Sequence, residues 1–236
     1  MPDWVENRLV VSGDRGRIAD FRDAVRGRDD DGVELALDFE RIRPTPPELA
    51  SGCRARDTAV ARELLDEFCR LKASGTEEER AAFLFGRGRG VTLLDPAIRR
   101  VFGLSGDESP QQSLHIWRNC AWGVKWNMAA ERLNVSEAAD GRVITFLLDT
   151  PSVPPLALVH ALAAQFPDLA LELTYATSHG EAGYCRYEAG ALVASEDEDS
   201  DGDPVALLRR VGWTEPADEL AAWLAEVAAD LAEENL

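Results

Sequence analysis

The sequence predicts an α+β fold on three observations: a β-prone segment followed by an amphipathic helix near the N-terminus, a second half dominated by strand patterns, and a C-terminal stripe of apolar residues at helical spacing. Residues 7–13 (Asn-Arg-Leu-Val-Val-Ser-Gly) read as a strand closed by a glycine turn. Asp14 then caps a helix that presents Ile18, Phe21 and Val25 on one side. Val33, Leu35, Leu37 and Phe39 alternate with Glu34, Ala36, Asp38 and Glu40, the period of a half-buried strand, and the run 44–47 (Pro-Thr-Pro-Pro) ends it. Val60, Leu64, Phe68 and Leu71 recur at helical spacing, and Thr76 with Glu79 forms a capping box, so a helical insertion is expected near 55–104. After Pro110 the pattern turns to β over 114–126, 143–148, 169–176 and 184–193, with a helix over about 154–166. The expected organisation is an α+β body over 1–194, an acidic linker over 195–204 and amphipathic helices over 205–236. Leu220, Trp223, Leu224, Val227 and Leu231 stripe the last helix, and that stripe needs the body or a second copy of the chain, a homo-oligomer, to cover it.

The 236 residues are enough to bury roughly 70% of the extended surface without covalent staples. The four cysteines, Cys53, Cys69, Cys120 and Cys185, lie far apart and suggest reduced thiols, with neither a disulfide framework nor a zinc knuckle. No basic n-region, apolar h-region or bilayer-length apolar run stands in the sequence, so a cytoplasmic location with no membrane partner is expected. The net charge is −18, and residues 195–236 hold 13 acids against two arginines. Such a field disfavours phosphate backbones, although a local basic patch on the body is compatible with it. Lys72 and Lys125 are the two lysines among 25 basic residues, which makes each lysine a notable choice.

At four places the sequence resembles the YubB-like family with a ferredoxin-like domain, proteins known mainly from plasmids, phages and prophages and lacking an assigned activity. The opening is Met1-Pro2-x-Trp4-x-x-Asn7-x-Leu9-x-Val11-x-Gly13, with Val5 where the family usually has a cysteine. The second stretch is Phe39-x-x-Ile42-x-Pro44-x-Pro46-x-Glu48-Leu49. The most distinctive is Trp122-Gly123-x-Lys125-Trp126-Asn127, with Val124 replacing a usual threonine. The last runs from Asp149-Thr150-Pro151-Ser152-Val153-Pro154-Pro155 through Phe166-Pro167 and Tyr175 to Glu181-x-Gly183. The resemblance implies a ferredoxin-like antiparallel sheet with helices packed on one face. It implies no catalytic residue and no cofactor.

If 122–126 is a strand, Trp122, Val124 and Trp126 share one face, and Gly123 and Lys125 the other. Two indoles on one face suggest either a stacking platform for bases or, more simply, a packed surface under a helix. Lys125 beside them has the chemistry of a nucleophile, proton carrier or anion binder, but no second group completes a catalytic set. His115 and His160 fall on predicted regular elements, whereas His179 lies in a probable loop, 178–181. Arg87 and Arg89, in the basic loop Gly86-Arg87-Gly88-Arg89-Gly90, suit backbone contact with a phosphate but match no nucleotide fingerprint. Asp197, Asp199, Asp201 and Asp203 copy the first half of a calcium loop, yet Leu208 stands where its bidentate glutamate belongs. The expected binding residues are therefore Trp122, Lys125, Trp126, Asn127, Arg87, Arg89 and His179. The leading expectation is a non-catalytic protein that works through a protein partner. Single-stranded nucleic-acid binding on the Trp/Lys surface is the alternative, and an enzyme centred on Lys125 comes third.

Overall fold

β1 (Trp4–Ser12) is the strand on which the sheet is built, and its alternation decides the two faces. Val5, Asn7, Leu9 and Val11 are buried on one side, while Glu6, Arg8 and Val10 point to the other. In the computed structural model, which describes residues 3–29, 32–46, 70, 74, 76, 110–198 and 202–234, β1 has antiparallel neighbours on both edges. Leu9 lies opposite Phe146 on one side and Leu173 on the other.

Asp14 accepts a hydrogen bond from the Gly16 amide at 2.9 Å and so starts α1 (Arg15–Val25), whose Ile18, Phe21 and Val25 are buried as the spacing predicts. Phe21 meets Phe146 and Phe166 edge to face, with centroids 6.2 and 5.0 Å apart. The alternating run after it is mostly not strand. β2 (Gly27–Arg28) and β3 (Glu34–Leu35) form a two-residue ribbon, and Asp38 then accepts from the Glu40 amide and caps the single-turn α2 (Phe39–Ile42). Of the alternating apolar set, Leu35, Leu37 and Phe39 are buried but Val33 is exposed, and Asp38, expected on the solvent side, is buried because its side chain caps the backbone and ends the extended geometry.

A larger correction concerns residues 114–126. They do not form a strand: α3 (Pro110–Trp122) occupies most of that stretch, with Pro110 at its first turn and Trp117, Cys120 and Ala121 buried at helical spacing. Gly123 ends the helix with φ +86° and donates to the Asn119 carbonyl at 3.0 Å. A 3₁₀ turn (Ala130–Arg132) then leads into β4 (Leu133–Glu137), which its polar composition hides from pattern reading.

β5 (Val143–Pro151), α4 (Leu156–Gln165) and β6 (Ala170–Thr177) match the expected strand, helix and strand. The expected strand over 184–193 is a hairpin of β7 (Ala182–Glu188) and β8 (Ala191–Glu198), turning at Ala189 and Gly190, both with positive φ. The main sheet is antiparallel in the order β4-β5-β1-β6-β7-β8. Its first four strands, with α1 and α4 as crossovers, form the β-α-β-β-α-β ferredoxin-like unit, and β7 and β8 widen it.

β8 also overturns part of the linker reading, because residues 195–198 continue the edge strand. Acids on an exposed edge oppose edge-to-edge pairing. α5 (Pro204–Arg210) and α6 (Thr214–Glu234) follow, with Asp203 capping α5 through the Ala206 amide. These helices cover the face opposite α1 and α4. Leu207, Leu208, Ala217 and Leu220 form a second, smaller core with Ala182, flanked by Ala176, Tyr184 and Trp213. Arg8 fixes the arrangement from the sheet side, donating to the Val211 and Gly212 carbonyls at 2.6 and 2.9 Å where α5 ends. Of the C-terminal stripe, Leu220 is buried against the body and Leu224 packs beside it, while Trp223 stays exposed. Apart from residues 70, 74 and 76, the predicted helical insertion lies outside the described residues. No helix among those described is long and apolar enough to cross a membrane.

Candidate binding groove

The structure separates the two tryptophans that alternation placed on one face. Trp122 is fully buried, its indole N–H donating to the Arg43 carbonyl at 2.9 Å and its ring 5.7 Å from both Phe39 and Trp117. No base can stack on it. Gly123 explains the adjacent position: a Cβ there would approach the Leu156 nitrogen to 3.1 Å and the Pro154 oxygen to 3.2 Å, so the chain passes against the start of α4. Val124 is buried, and Trp126 emerges with 38% of its surface exposed.

Asn127 is a staple. Its Oδ1 accepts from the Phe39 and Met128 amides, both at 2.9 Å, and its Nδ2 donates to Asp38 at 2.8 Å, fastening this turn to the cap of α2. Lys125 Nζ lies 4.4 Å from the centroid of the Trp126 ring, a cation–π contact. Its charge reaches His115, whose pKa is lowered first by burial and then by Lys125 and Arg118. Among the described residues no carboxylate pairs with Lys125, and the geometry holds no nucleophile–base pair around it. Cys120 and Cys185 are buried, and burial pushes each thiol pKa up to about 12, which favours the neutral form.

Other signature residues also act in the architecture. Asn7 Nδ2 donates to the Val5 and Leu148 carbonyls and to Thr150 Oγ1, which donates in turn to the Val153 carbonyl. Gly183 is required by the Tyr175 ring, which a Cβ would meet at 2.3 Å. The Tyr175 hydroxyl donates to Asp197 at 2.7 Å. Asp197 is therefore on a strand and Asp203 at a helix cap, while Asp199 and Asp201 lie outside the described residues. Among those described, no cluster of ligand side chains suits a metal ion. Arg87 and Arg89 also fall outside them.

What sequence reading missed is Trp4. At the start of β1 it forms a wall of two adjoining clefts. One, of about 340 Å³, is lined by Trp4, Trp126, Asn127, Arg132 and Asp149 among others. Arg132 stacks on Trp4 at 3.6 Å from the ring centroid and pairs with Asp149 at 3.3 Å. The second cleft, about 290 Å³, runs between Trp4 and Trp223 of α6 over Ala176, Thr177 and Ser178, with Glu6 and Glu219 beside it. Trp223 is 38% exposed and rests against Gly180 in the β6–β7 turn, where φ is +87° and a Cβ would meet the indole at 3.1 Å. His179, in the same turn, is exposed and its Nε2 lies 3.1 Å from Asp3. Trp4 is thus shared by two clefts, with Trp126 lining one and Trp223 the other, and together they make up the candidate groove. The signal for it was present only as an isolated aromatic at a strand start and another on a helical stripe.

The fold and groove define an α+β protein of the ferredoxin-like class. Residues 121–207 match the family model described as the ferredoxin-like domain in Api92-like protein. That match supports the domain which the motif resemblance implied, and it carries the Api92-like description in place of the YubB-like one. Among solved structures the chain is similar to protein api92 from Yersinia pseudotuberculosis, at 13% identity and a TM-score of 0.43, over 85% of this chain and 99% of that one. No curated protein matches the chain.

Proposed function

We propose that this chain is a non-catalytic binding protein acting by protein–protein contact, with the groove lined by Trp4, Trp126 and Trp223 as its contact surface. One observation carries the reading: these accessible indoles line adjoining clefts that share Trp4, while the other tryptophan of the signature is enclosed. Tryptophans held at the surface beside concavities are the residues that most often dominate interface energetics, because each brings large apolar area at low entropy cost. The acidic surface and the lack of a second group beside Lys125 favour contact over catalysis. The motif resemblance supplies the setting of the proposal, a cytoplasmic product of a mobile element meeting a host or competing-element factor.

Affinity capture with nuclease treatment tests this reading, comparing wild type with Trp126→Ala and Lys125→Ala. The expected result is a defined protein recovered by wild type and lost with Trp126→Ala. Recovery of the same protein by both tryptophan forms, or of nucleic acid alone before nuclease treatment, contradicts it.

A second reading has its own support, since Lys125 on Trp126 and Arg132 on Trp4 set two cation–indole pairs at one cleft. Single-stranded nucleic acid uses such pairs, and salt-dependent quenching of tryptophan fluorescence by oligonucleotides would favour it. The surplus of carboxylates nearby weighs against it.

A further inference from the structure

Four of the six tryptophans of this chain have a cation over the ring. Arg132 lies over Trp4, Arg118 over Trp122, Lys125 over Trp126 and Arg8 over Trp213, at 3.6, 4.7, 4.4 and 5.5 Å from the ring centroids. Trp117 is enclosed in the core. Trp223 is exposed, and among the described residues no cation covers its ring. Its surroundings are also the most acidic part of the groove. Glu6 and Glu219 line the same cleft, and Glu215 with Asp149 lines the continuation toward Trp213. Asp149 has Arg132 as partner, but among the described residues Glu6, Glu215 and Glu219 pair with no cation.

We infer that the Trp4–Trp223 cleft receives an arginine or lysine side chain from a basic segment of a partner protein, held between the Trp223 indole and the carboxylates of Glu6 and Glu219. The inference rests on the protein-contact reading and names the chemistry of the partner. The volume, about 290 Å³, suits one long side chain rather than a whole helix. Its indole walls take the methylene stem and the cation, and the two glutamates supply the opposite charge. Electrostatics point the same way. Glu6 is pushed up from an ordinary carboxyl pKa by burial and then by Glu219, Asp149 and Glu215, so the free protein carries like-charge repulsion that an inserted cation relieves. A second copy of the chain, with the same net charge of −18, is a poor occupant, and so is a phosphate backbone.

The test uses the full chain and a fluorescein-labelled dodecapeptide of alternating arginine and serine, with the same peptide carrying citrulline for arginine, read by fluorescence anisotropy at physiological salt. The expected result is binding of the arginine peptide and none of the citrulline form. Affinity should fall about tenfold in Glu6→Gln with Glu219→Gln, and again in Trp223→Ala. Asp20→Asn with Asp23→Asn removes as much charge from exposed positions on α1 and is expected to leave affinity unchanged. Equal loss from the Asp20/Asp23 pair would show diffuse attraction to an acidic protein and overturn the inference, as would no binding by wild type. The glutamate-to-glutamine pair relieves repulsion, so its melting temperature should not fall, which separates loss of binding from loss of fold. A silent arginine peptide alongside Trp126-dependent capture of a partner sinks this inference alone. Loss of Trp126-dependent capture sinks the reading beneath it.

Discussion

The sheet is covered on both faces, but by different physics. Beneath α1 and α4, β1, β5 and β6 contribute Val5, Leu9, Val11, Ile144, Phe146, Leu171 and Leu173, all essentially without solvent contact. On the other face, the same strands offer Glu6, Arg8, Glu172, Thr174 and Ala176, and α5 and α6 meet them through a small core and two carbonyl bonds from Arg8. The first face commits nearly all its area to stability. The second is only partly covered, and where cover stops the groove of Trp4, Trp126 and Trp223 begins. Function in this fold is argued from the less finished face, because a saturated core has nothing left to offer a ligand.

That contrast can be broken in order of effect. Trp122→Ala, in the finished region, removes a fully buried indole and leaves the Arg43 carbonyl without its donor. A loss of about 3–5 kcal/mol is expected in denaturant unfolding. Gly183→Val forces a side chain into the Tyr175 ring and should cost about 1–3 kcal/mol in the same measurement. Arg8→Met keeps the stem but deletes the bonds to Val211 and Gly212, so about 1–2 kcal/mol is expected. Hydrogen exchange should place that loss in α5 and α6 while the amides of β1 and β5 stay protected. Uniform loss over the sheet would mean that the two faces are not separable.

The smallest effect has the opposite sign. Glu6 has a raised pKa in the folded chain, so its ionised form opposes folding at neutral pH. That penalty is present above the raised folded value and disappears as pH falls through it toward the ordinary value near 4.5. Because Glu6 is only partly withdrawn from solvent, the gain from Glu6→Gln at pH 7 is small, on the order of 1 °C in melting temperature. The gain should vanish in a melt at pH 4.

Local rules made much of the fold legible. Asp14 announces α1, alternation in β1 and β5 gives the sheet, and the Leu220–Leu224 stripe gives α6. The failures have physical causes. Residues 114–126 mix aromatics and small residues in a way that reads as β, but Pro110 and Gly123 bracket a helix whose buried positions recur at three and four. The acids over 195–198 look like solvent-facing linker, yet an edge strand tolerates and benefits from them. The groove was the least legible part, since Trp4, Trp126 and Trp223 come from three distant segments and only tertiary packing joins them. The distinctive signature misdirects in an instructive manner: Trp122, Gly123 and Asn127 stand out because the architecture needs them, whereas Trp126 is the member left facing solvent.

Affinity capture with Trp126→Ala, in a chain whose melting temperature equals that of wild type, tests the central claim most directly. The expected result is a folded protein that no longer retains the wild-type partner. A folded Trp126→Ala chain that retains it would place the contact surface elsewhere.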